Sequence, residues 1–299
     1  VVRNARLSEE DIAAAKEIVT KQRLENEERV DEITMDNLHM CAYDTTEQSL
    51  GSLKDGDAQT LKNITKDSLA KFRDENINAG RIALIGSGAV DQTVLEKTAL
   101  SLFGDMPTAS KKKAIESRLV GGDIRLWNLR FSTTHIAWAC EGPGANSEDT
   151  VPIDIMTKIV GNYHRSEHEL ANHSMQRTFK VYSSMDFGGP TRTPFPEQSC
   201  EVANGFSQYY DDTGLFGMYL VGRPHVTSPG LDTAMHDMMQ YSMAEWCRMS
   251  QKTIGDHELD QGKINLKAQL LFNNDGSSNT FKDIGKQLMH HGRRVPLDE

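Results

Sequence analysis

The chain has 299 residues, about twice the size of a common domain, so two domains are expected. Its net charge of -10 argues against a nucleic-acid partner, which would call for a basic surface. No apolar run reaches the roughly 18 residues that a membrane-spanning helix needs. The four cysteines include no CxxC pair, which argues against a zinc ribbon and is typical of a reducing compartment.

The first third of the chain is predicted to be mostly helical. Ser8, followed three residues later by Asp11, resembles a capping box and predicts the start of a long helix over residues 8–42. The other elements predicted in this region are a loop over 44–60, a helix over 66–77, a short apolar strand over 81–85 and a helix over 91–103.

A boundary between domains is predicted at residues 107–122. This stretch contains Pro107, a run of three lysines and the pair Gly121-Gly122, a composition typical of linkers. It divides the chain into a first domain over residues 1–106 and a second over 123–299.

The second domain is predicted to combine antiparallel strands with helices. Residues 124–131 and 134–140 alternate between apolar and polar side chains, as two paired strands would. The order of elements along the whole chain predicts an α+β fold of two domains, each a mostly antiparallel sheet backed by helices. Further elements are expected at 149–160 (helix), 201–210 and 214–221 (strands), and 229–250, 256–273 and 279–291 (helices).

One motif could hold a metal. His164, Glu167 and His168 have the HxxEH spacing, in which two imidazoles on one helix face bind zinc and the glutamate activates water. Glu245 lies downstream, where such a site needs a third ligand.

Three features of the sequence argue against this zinc site. Gly161-Asn162 should end the preceding helix, which would place His164 in a turn rather than on a regular helix. That helix also lacks a glycine-rich apolar run to wall a zinc pocket. Glu245 precedes Arg248 by three residues, the spacing of an ion pair on a helix surface. We therefore predict no metal site.

No other cofactor site or catalytic nucleophile is predicted. Gly86-Ser87-Gly88 follows a predicted strand, but the third glycine of a dinucleotide-binding loop is absent, and Asp91 would repel a phosphate. Ser87 is not in a GxSxG elbow, and the cysteines carry no catalytic signature.

Several segments, in order along nearly the whole chain, resemble one family. The chain is similar to the beta subunit of mitochondrial processing peptidase and to core protein 1 of the cytochrome bc1 complex, members of the pitrilysin-type metallopeptidase-like family. The matching segments are residues 36–43 (DNLHMCAY), 50–51 (LG), 61–64 (LKNI), 88–90 (GAV), 161–166 (GNYHRS), 212–217 (DTGLFG), 245–246 (EW), 283–287 (DIGKQ) and 292–297 (GRRVPL).

The resemblance also has departures that bear on activity. Family members that cut peptides carry HxxEH early in their N-terminal domain, and this chain is expected to begin after that point. Counting back from His39, the zinc-binding glutamate of the family falls on Gln22, a neutral amide. Glu25 could replace it only through a register shift of nearly one helical turn. The family's final helix and strand are also expected to be missing.

The resemblance implies a core subunit of mitochondrial respiratory complex III, with a structural and assembly role and no cofactor of its own. It implies a position on the matrix side of the inner membrane, a partner of the core-2 or alpha type, other complex III subunits and a dimeric complex. The first domain would be incomplete, so a separate polypeptide is expected to supply its missing N-terminal part.

The alternative is an enzyme. In that case the chain would be a beta-type fragment of the zinc-dependent processing peptidase that removes presequences, completed by a polypeptide that carries HxxEH. The sequence does not decide whether the assembly retains presequence processing.

Overall fold

A computed structural model describes residues 5–45, 49–54, 56–108, 116–128, 130–165, 174–178, 200–223 and 233–296. Their helices and strands, in chain order, are α1 Glu9–Asn26, α2 Val30–Ala42, α3 Ala58–Asn63, α4 Lys66–Asn76, α5 Gln92–Phe103, β1 Thr134–Gly142, α6 Thr150–Val160, β2 Asn162–His164, β3 Cys200–Tyr209, β4 Gly214–Gly222, α7 Thr233–Gln251, α8 Asp256–Asn273 and α9 Ser277–His291. A 3-10 turn at Ala79–Arg81 and a helical turn at 174–178 complete them. None of the helices in these ranges has the length and apolar character needed to cross a membrane.

The chain divides into two compact units. The first, called unit 1, comprises Val1–Asp36, Tyr43–Arg118 and Phe272–Glu299. The second, unit 2, comprises Asn37–Ala42 and Leu119–Leu271.

Unit 2 contains an antiparallel sheet in the order β1-β4-β3-β2. The central strand β4 pairs along its whole length with β1, from Gly214 opposite Gly142 to Gly222 opposite Thr134. On its other side it pairs with β3, which has a bulge near Cys200. Both edges of β4 are therefore hydrogen-bonded, as in a strand at the centre of a sheet.

The core of unit 2 lies between this sheet and helices α6 and α7. Met218 and Leu220 of β4, Val160 of α6 and Met238 of α7 are fully buried in one cluster with Trp246. Each buried side chain of this size contributes roughly 1.5–3 kcal/mol. The sheet and the two helices are therefore held together mainly by apolar burial.

Polar contacts fix how α6 lies on β3. Asp154 Oδ1 accepts hydrogen bonds from Ser207 Oγ at 2.7 Å and from Tyr209 Oη at 2.8 Å. Burial, together with the Asp154 charge, raises the pKa of Tyr209, so its hydroxyl stays protonated and can donate. Tyr209 Oη also reaches the carbonyl oxygen of Thr150 at 2.9 Å. The start of α6 is thus held against the end of β3.

Unit 1 has caps and tertiary hydrogen bonds but little core. Thr65 and Ser68 form a capping box on α4, and Lys16 Nζ donates to the carbonyl oxygens of Lys62 and Ile64 at 3.1 and 2.7 Å. Among the described residues of this unit, Tyr43 alone is a buried hydrophobic residue. Large apolar side chains instead remain exposed on several elements, including Phe72, Leu84, Val94, Leu100, Leu102 and Phe281. This unit therefore presents apolar surface that a folded domain would normally cover.

Most predicted helices and the strands predicted at 134–140, 201–210 and 214–221 are confirmed. The helices predicted at 66–77, 91–103, 149–160, 256–273 and 279–291 match α4, α5, α6, α8 and α9 to within a few residues. The prediction at 229–250 matches α7, and its first residues lie outside the described ranges.

The single helix predicted over residues 8–42 is wrong. It is interrupted at residues 27–29, where Glu28 N and Arg29 N bond to the carbonyl oxygens of Glu25 and Asn26. The interruption puts Asp31 and Glu32 in the first turn of α2, where the helix dipole favours acidic side chains. Part of the predicted loop over 44–60 also forms a helix, α3, capped by Asp57.

Two predicted strands, at 81–85 and 124–131, are wrong. The backbone at Ile82 is extended, with φ -108° and ψ 126°, but no ladder forms on residues 82–86 within the described part of the chain. Residues 122–128 likewise join no sheet there, and β1 pairs with β4 instead of with them. An apolar run becomes a strand only when another strand pairs with it, which the local pattern does not report.

The pairing of β1 with β4 predicts that Gly217 is required for stability. A Cβ at this position would overlap the carbonyl oxygen of Trp138 and lie 2.8 Å from Ala139 Cα. Gly217→Ala should therefore destabilise the protein by at least about 1–3 kcal/mol in urea unfolding followed by circular dichroism. Gly255→Ala is the matched control, since a Cβ there meets no atom within 4 Å, and its midpoint should stay close to that of the wild type. Equal effects of the two substitutions would contradict the register of β1 on β4.

Candidate functional site

The first candidate metal ligand, His164, lies at the end of a strand. Gly161 ends α6 with a φ of +71°, so the predicted end of that helix is confirmed. The turn predicted at His164 is wrong, because residues Asn162–His164 form β2, which pairs with β3 and places His164 opposite Val202. Backbone pairing continues beyond it, from Arg165 N to the carbonyl oxygen of Glu201 at 2.9 Å. Glu167 and His168 lie outside the described residues.

Glu245, the other candidate ligand, is held in an ion pair inside unit 2. Its Oε1 accepts from Arg248 Nε at 3.0 Å, from Arg248 Nη2 at 2.8 Å and from the hydroxyl of Ser174. The predicted pair with Arg248 is therefore confirmed. The pair is not on the helix surface, however, because Glu245 is only 7% exposed and adjoins the core residue Trp246.

The ion pair extends into a network across two helices and a turn. Arg248 Nη2 also donates to Glu258 Oε1 of α8 at 3.0 Å, and Arg177 Nη2 donates to the same oxygen at 2.8 Å. The hydrogen bond from Arg248 to Glu245 is the largest of the causes that raise the pKa of Arg248, and burial acts to lower this pKa. Two carboxylates and two guanidinium groups thus balance each other in charge.

Within this network, Glu245 is not suited to serve as a zinc ligand. A zinc ion bound to Oε1 would lie against the guanidinium of Arg248, so two cations would compete for one buried carboxylate. Within the ranges that the structure describes, no cluster of three or more histidine, cysteine, aspartate or glutamate side chains could hold a metal ion. The described residues therefore give no support to zinc chemistry at this place.

Gln22, the residue at the family's zinc-glutamate position, lies on the exposed surface of α1. Glu25 lies on the same helix and is exposed as well. A neutral amide is a weak zinc ligand, so α1 does not fit a metal site in this chain either.

Cys200 and Cys140 do not have the surroundings of nucleophiles. Cys200 is fully buried, and burial raises the pKa of its thiol, which therefore stays protonated. Burial also raises the pKa of Cys140, with a contribution from Cys247.

Most members of the Glu245 network could not be found from the sequence. The pair of Glu245 and Arg248 shows as a spacing of three on one helix, but Ser174 lies 71 residues from Glu245. Arg177 and Glu258 are 81 residues apart. Contacts over such separations leave no local pattern, so only the tertiary structure reveals them.

The network predicts that Glu245 stabilises the fold independently of metal. Glu245→Ala removes the acceptor of the Ser174 hydroxyl and of Arg248 Nε, which should lower the free energy of unfolding by about 1–3 kcal/mol. Thermal unfolding with and without a zinc chelator measures this. The chelator should change the unfolding temperature of neither the wild type nor the variant. Glu148→Ala, at an exposed loop position, is the control and should be neutral. A chelator that destabilises the wild type but not Glu245→Ala would show that Glu245 binds metal.

Comparisons with known proteins give a consistent picture. The protein-family model described as "Peptidase M16 inactive domain" matches residues 63–266. The chain is 31% identical, over 99% of its length, to the "Ubiquinol-cytochrome-c reductase complex core protein I, mitochondrial" of Euglena gracilis. It is 28% identical, over 99% of its length, to the "Mitochondrial-processing peptidase subunit beta" of Lentinula edodes. It spans 60% of the length of each of these relatives.

A solved structure has a similar fold. A chain in the structure of Complex III2 from Candida albicans with Inz-5 bound matches 96% of this chain with a TM-score of 0.76, at 19% sequence identity. The match covers 66% of that chain. The predicted α+β fold of this peptidase-like family, with antiparallel sheet and helices, is confirmed.

Proposed function

Because the chain belongs to the peptidase M16 family, whose matched domain is the inactive one, we propose that it is a structural core subunit of mitochondrial respiratory complex III. The family resemblance predicted from the sequence is confirmed. The observation that carries the proposal is the likeness to core protein I of Euglena gracilis over almost the whole chain. Its role is then to scaffold and assemble the complex.

The absence of peptidase activity is part of the proposal. The carboxylate of the buried Glu245 is hydrogen-bonded to Arg248. The position of the family's zinc glutamate holds the exposed amide of Gln22. Both observations support a chain that binds no zinc and cleaves no peptide by itself.

The proposal extends to the location and the partners of the chain. The subunit would lie in mitochondria, on the matrix side of the inner membrane, as a peripheral component. Its partners would be a core-2 or alpha-type subunit of the same family and other complex III subunits, in a dimeric complex. Two relatives with a mitochondrial name support this location.

We also propose that a separate polypeptide completes the first domain. Residues 1–106 would then be the remainder of an N-terminal domain, 107–122 the linker and 123–299 the C-terminal domain. The scarcity of core in unit 1, with its exposed apolar side chains, supports a missing cover.

The alternative function is that of a beta-type subunit of the processing peptidase. It is supported by the likeness to processing-peptidase beta subunits, such as that of Lentinula edodes. In that case a second polypeptide would have to supply HxxEH and hold the zinc.

The two functions predict that the native protein belongs to different complexes. We expect a tagged copy of the chain, expressed in its own organism, to migrate on blue native gels with a cytochrome-containing complex, with haem absorbance in the same fraction. Migration in a haem-free heterodimer that cleaves presequence peptides would contradict the proposal and support the alternative.

A second test measures the zinc content and the cleavage of a presequence peptide on the same purified assembly. The proposal predicts substoichiometric zinc and no cleavage, with Gln22→Glu unable to restore either alone, since one carboxylate does not make a zinc site. Glu25→Gln is the matched control on α1 and should also change nothing. Stoichiometric zinc that Glu25→Gln removes would mean that Glu25 serves as the ligand and that the assembly is an enzyme.

A further inference from the structure

Two cysteines of unit 2 lie beside the contact between β1 and α7. Cys140 is on β1 and Cys247 is on α7, and both are free and exposed. They come from distant parts of the sequence, so only the fold brings them to the same place. The structural role proposed above uses neither of them.

Side-chain alternation places Cys140 on the face of the sheet that packs against α7. Trp138 lies two residues earlier on β1, so it points to the same face. Its Nε1 donates to Ser242 Oγ of α7 at 2.9 Å, and its ring meets that of Trp246 edge-on, with 6.3 Å between the ring centroids. The side of β1 that carries Cys140 therefore faces this helix.

The pairing of β1 with β4 brings Cys140 next to the part of α7 that carries Cys247. Phe216 of β4 lies directly opposite Cys140, and the Cβ atoms of two opposed residues are about 4.5–5.5 Å apart. The ring centroid of Phe216 is 5.2 Å from that of Trp246. Because Trp246 immediately precedes Cys247, both cysteines flank the same aromatic contact.

The electrostatic surroundings of Cys140 agree with this placement. Burial raises the pKa of the Cys140 thiol most, and the neighbouring Cys247 raises it further. Such an effect between two thiols needs them close to each other, because the interaction of two charges falls with their distance.

We propose that Cys140 and Cys247 form a reversible redox-modification site, which a small disulfide of the glutathione type oxidises to a disulfide between β1 and α7. The thiolate of Cys247 attacks the small disulfide, forms a mixed disulfide and releases one small thiol. The thiolate of Cys140 then attacks the Cys247 sulfur and releases the second small thiol. The two cysteines lose two electrons and two protons, and the small disulfide gains them as two thiols.

The order of the two steps follows from the surroundings of Cys140. Its raised pKa lowers its share of thiolate at neutral pH, so it enters the first attack less readily. In the mixed disulfide the sulfur that Cys140 attacks is already held beside it. The closing step is therefore intramolecular and needs no second encounter in solution.

Oxidised glutathione, added to the purified assembly in mildly alkaline buffer, tests the pair. After acid quenching and proteolysis without reductant, mass spectrometry should find a linked pair of peptides that contain Cys140 and Cys247. Dithiothreitol should restore both thiols. Glutathione retained on the wild type without closure, a link to Cys41 or no oxidation at all would overturn the proposal.

Serine variants separate the two steps. Cys140→Ser cannot close the disulfide, so it should retain glutathione on Cys247, with at least about tenfold more of this mixed disulfide than the wild type. Cys41→Ser is the matched control, because it removes a cysteine of α2 and leaves the pair in place, and it should form the link as the wild type does. Equal amounts of mixed disulfide in Cys140→Ser and the wild type would overturn the proposal.

Discussion

Every backbone N–H and C=O group of a folded chain needs a hydrogen-bond partner, and the two units of this protein meet that constraint differently. In unit 2, β4 is bonded along both edges, so its apolar residues can be buried at the centre of a sheet. In unit 1, the run from Ile82 to Gly86 has the apolar character of a strand without the pairing. Within the described residues, no strand pairs with this run.

The ion-pair network of unit 2 bears on metal binding as well as on packing. Where unit 2 is densest, a residue that could have bound metal instead joins an ion-pair network. Glu245 accepts from Arg248, and Arg248 also donates to Glu258, so α7 and α8 are joined by charge. Truncating Glu245 is costly because it removes the acceptor that Arg248 Nε and the Ser174 hydroxyl share. The position therefore serves the stability of the fold, in keeping with the structural role proposed for the chain.

Local patterns predicted the elements that depend on local rules. The capping side chain of Ser8, the glycine end of α6 at Gly161 and the alternation in β1 are readable from neighbouring residues. The family resemblance, carried by short segments spread along the chain, predicted the fold and is confirmed.

Features set by distant residues could not be predicted in this way. The strands expected at 81–85 and 124–131 had the right composition, yet composition does not say whether a pairing partner exists. The burial of Glu245 depends on Ser174, which is 71 residues away in the sequence. His164, the first residue of the HxxEH spacing, ends β2 because this strand pairs with β3, which comes from a distant part of the sequence.

The central claim is that this chain builds a respiratory complex through its folded surfaces. Electron cryo-microscopy of the assembly purified through a tag on the chain tests it most directly. The account predicts a dimeric, haem-containing complex in which the helices and sheet described above form a peripheral subunit. A haem-free particle with zinc bound between this chain and a partner would contradict it.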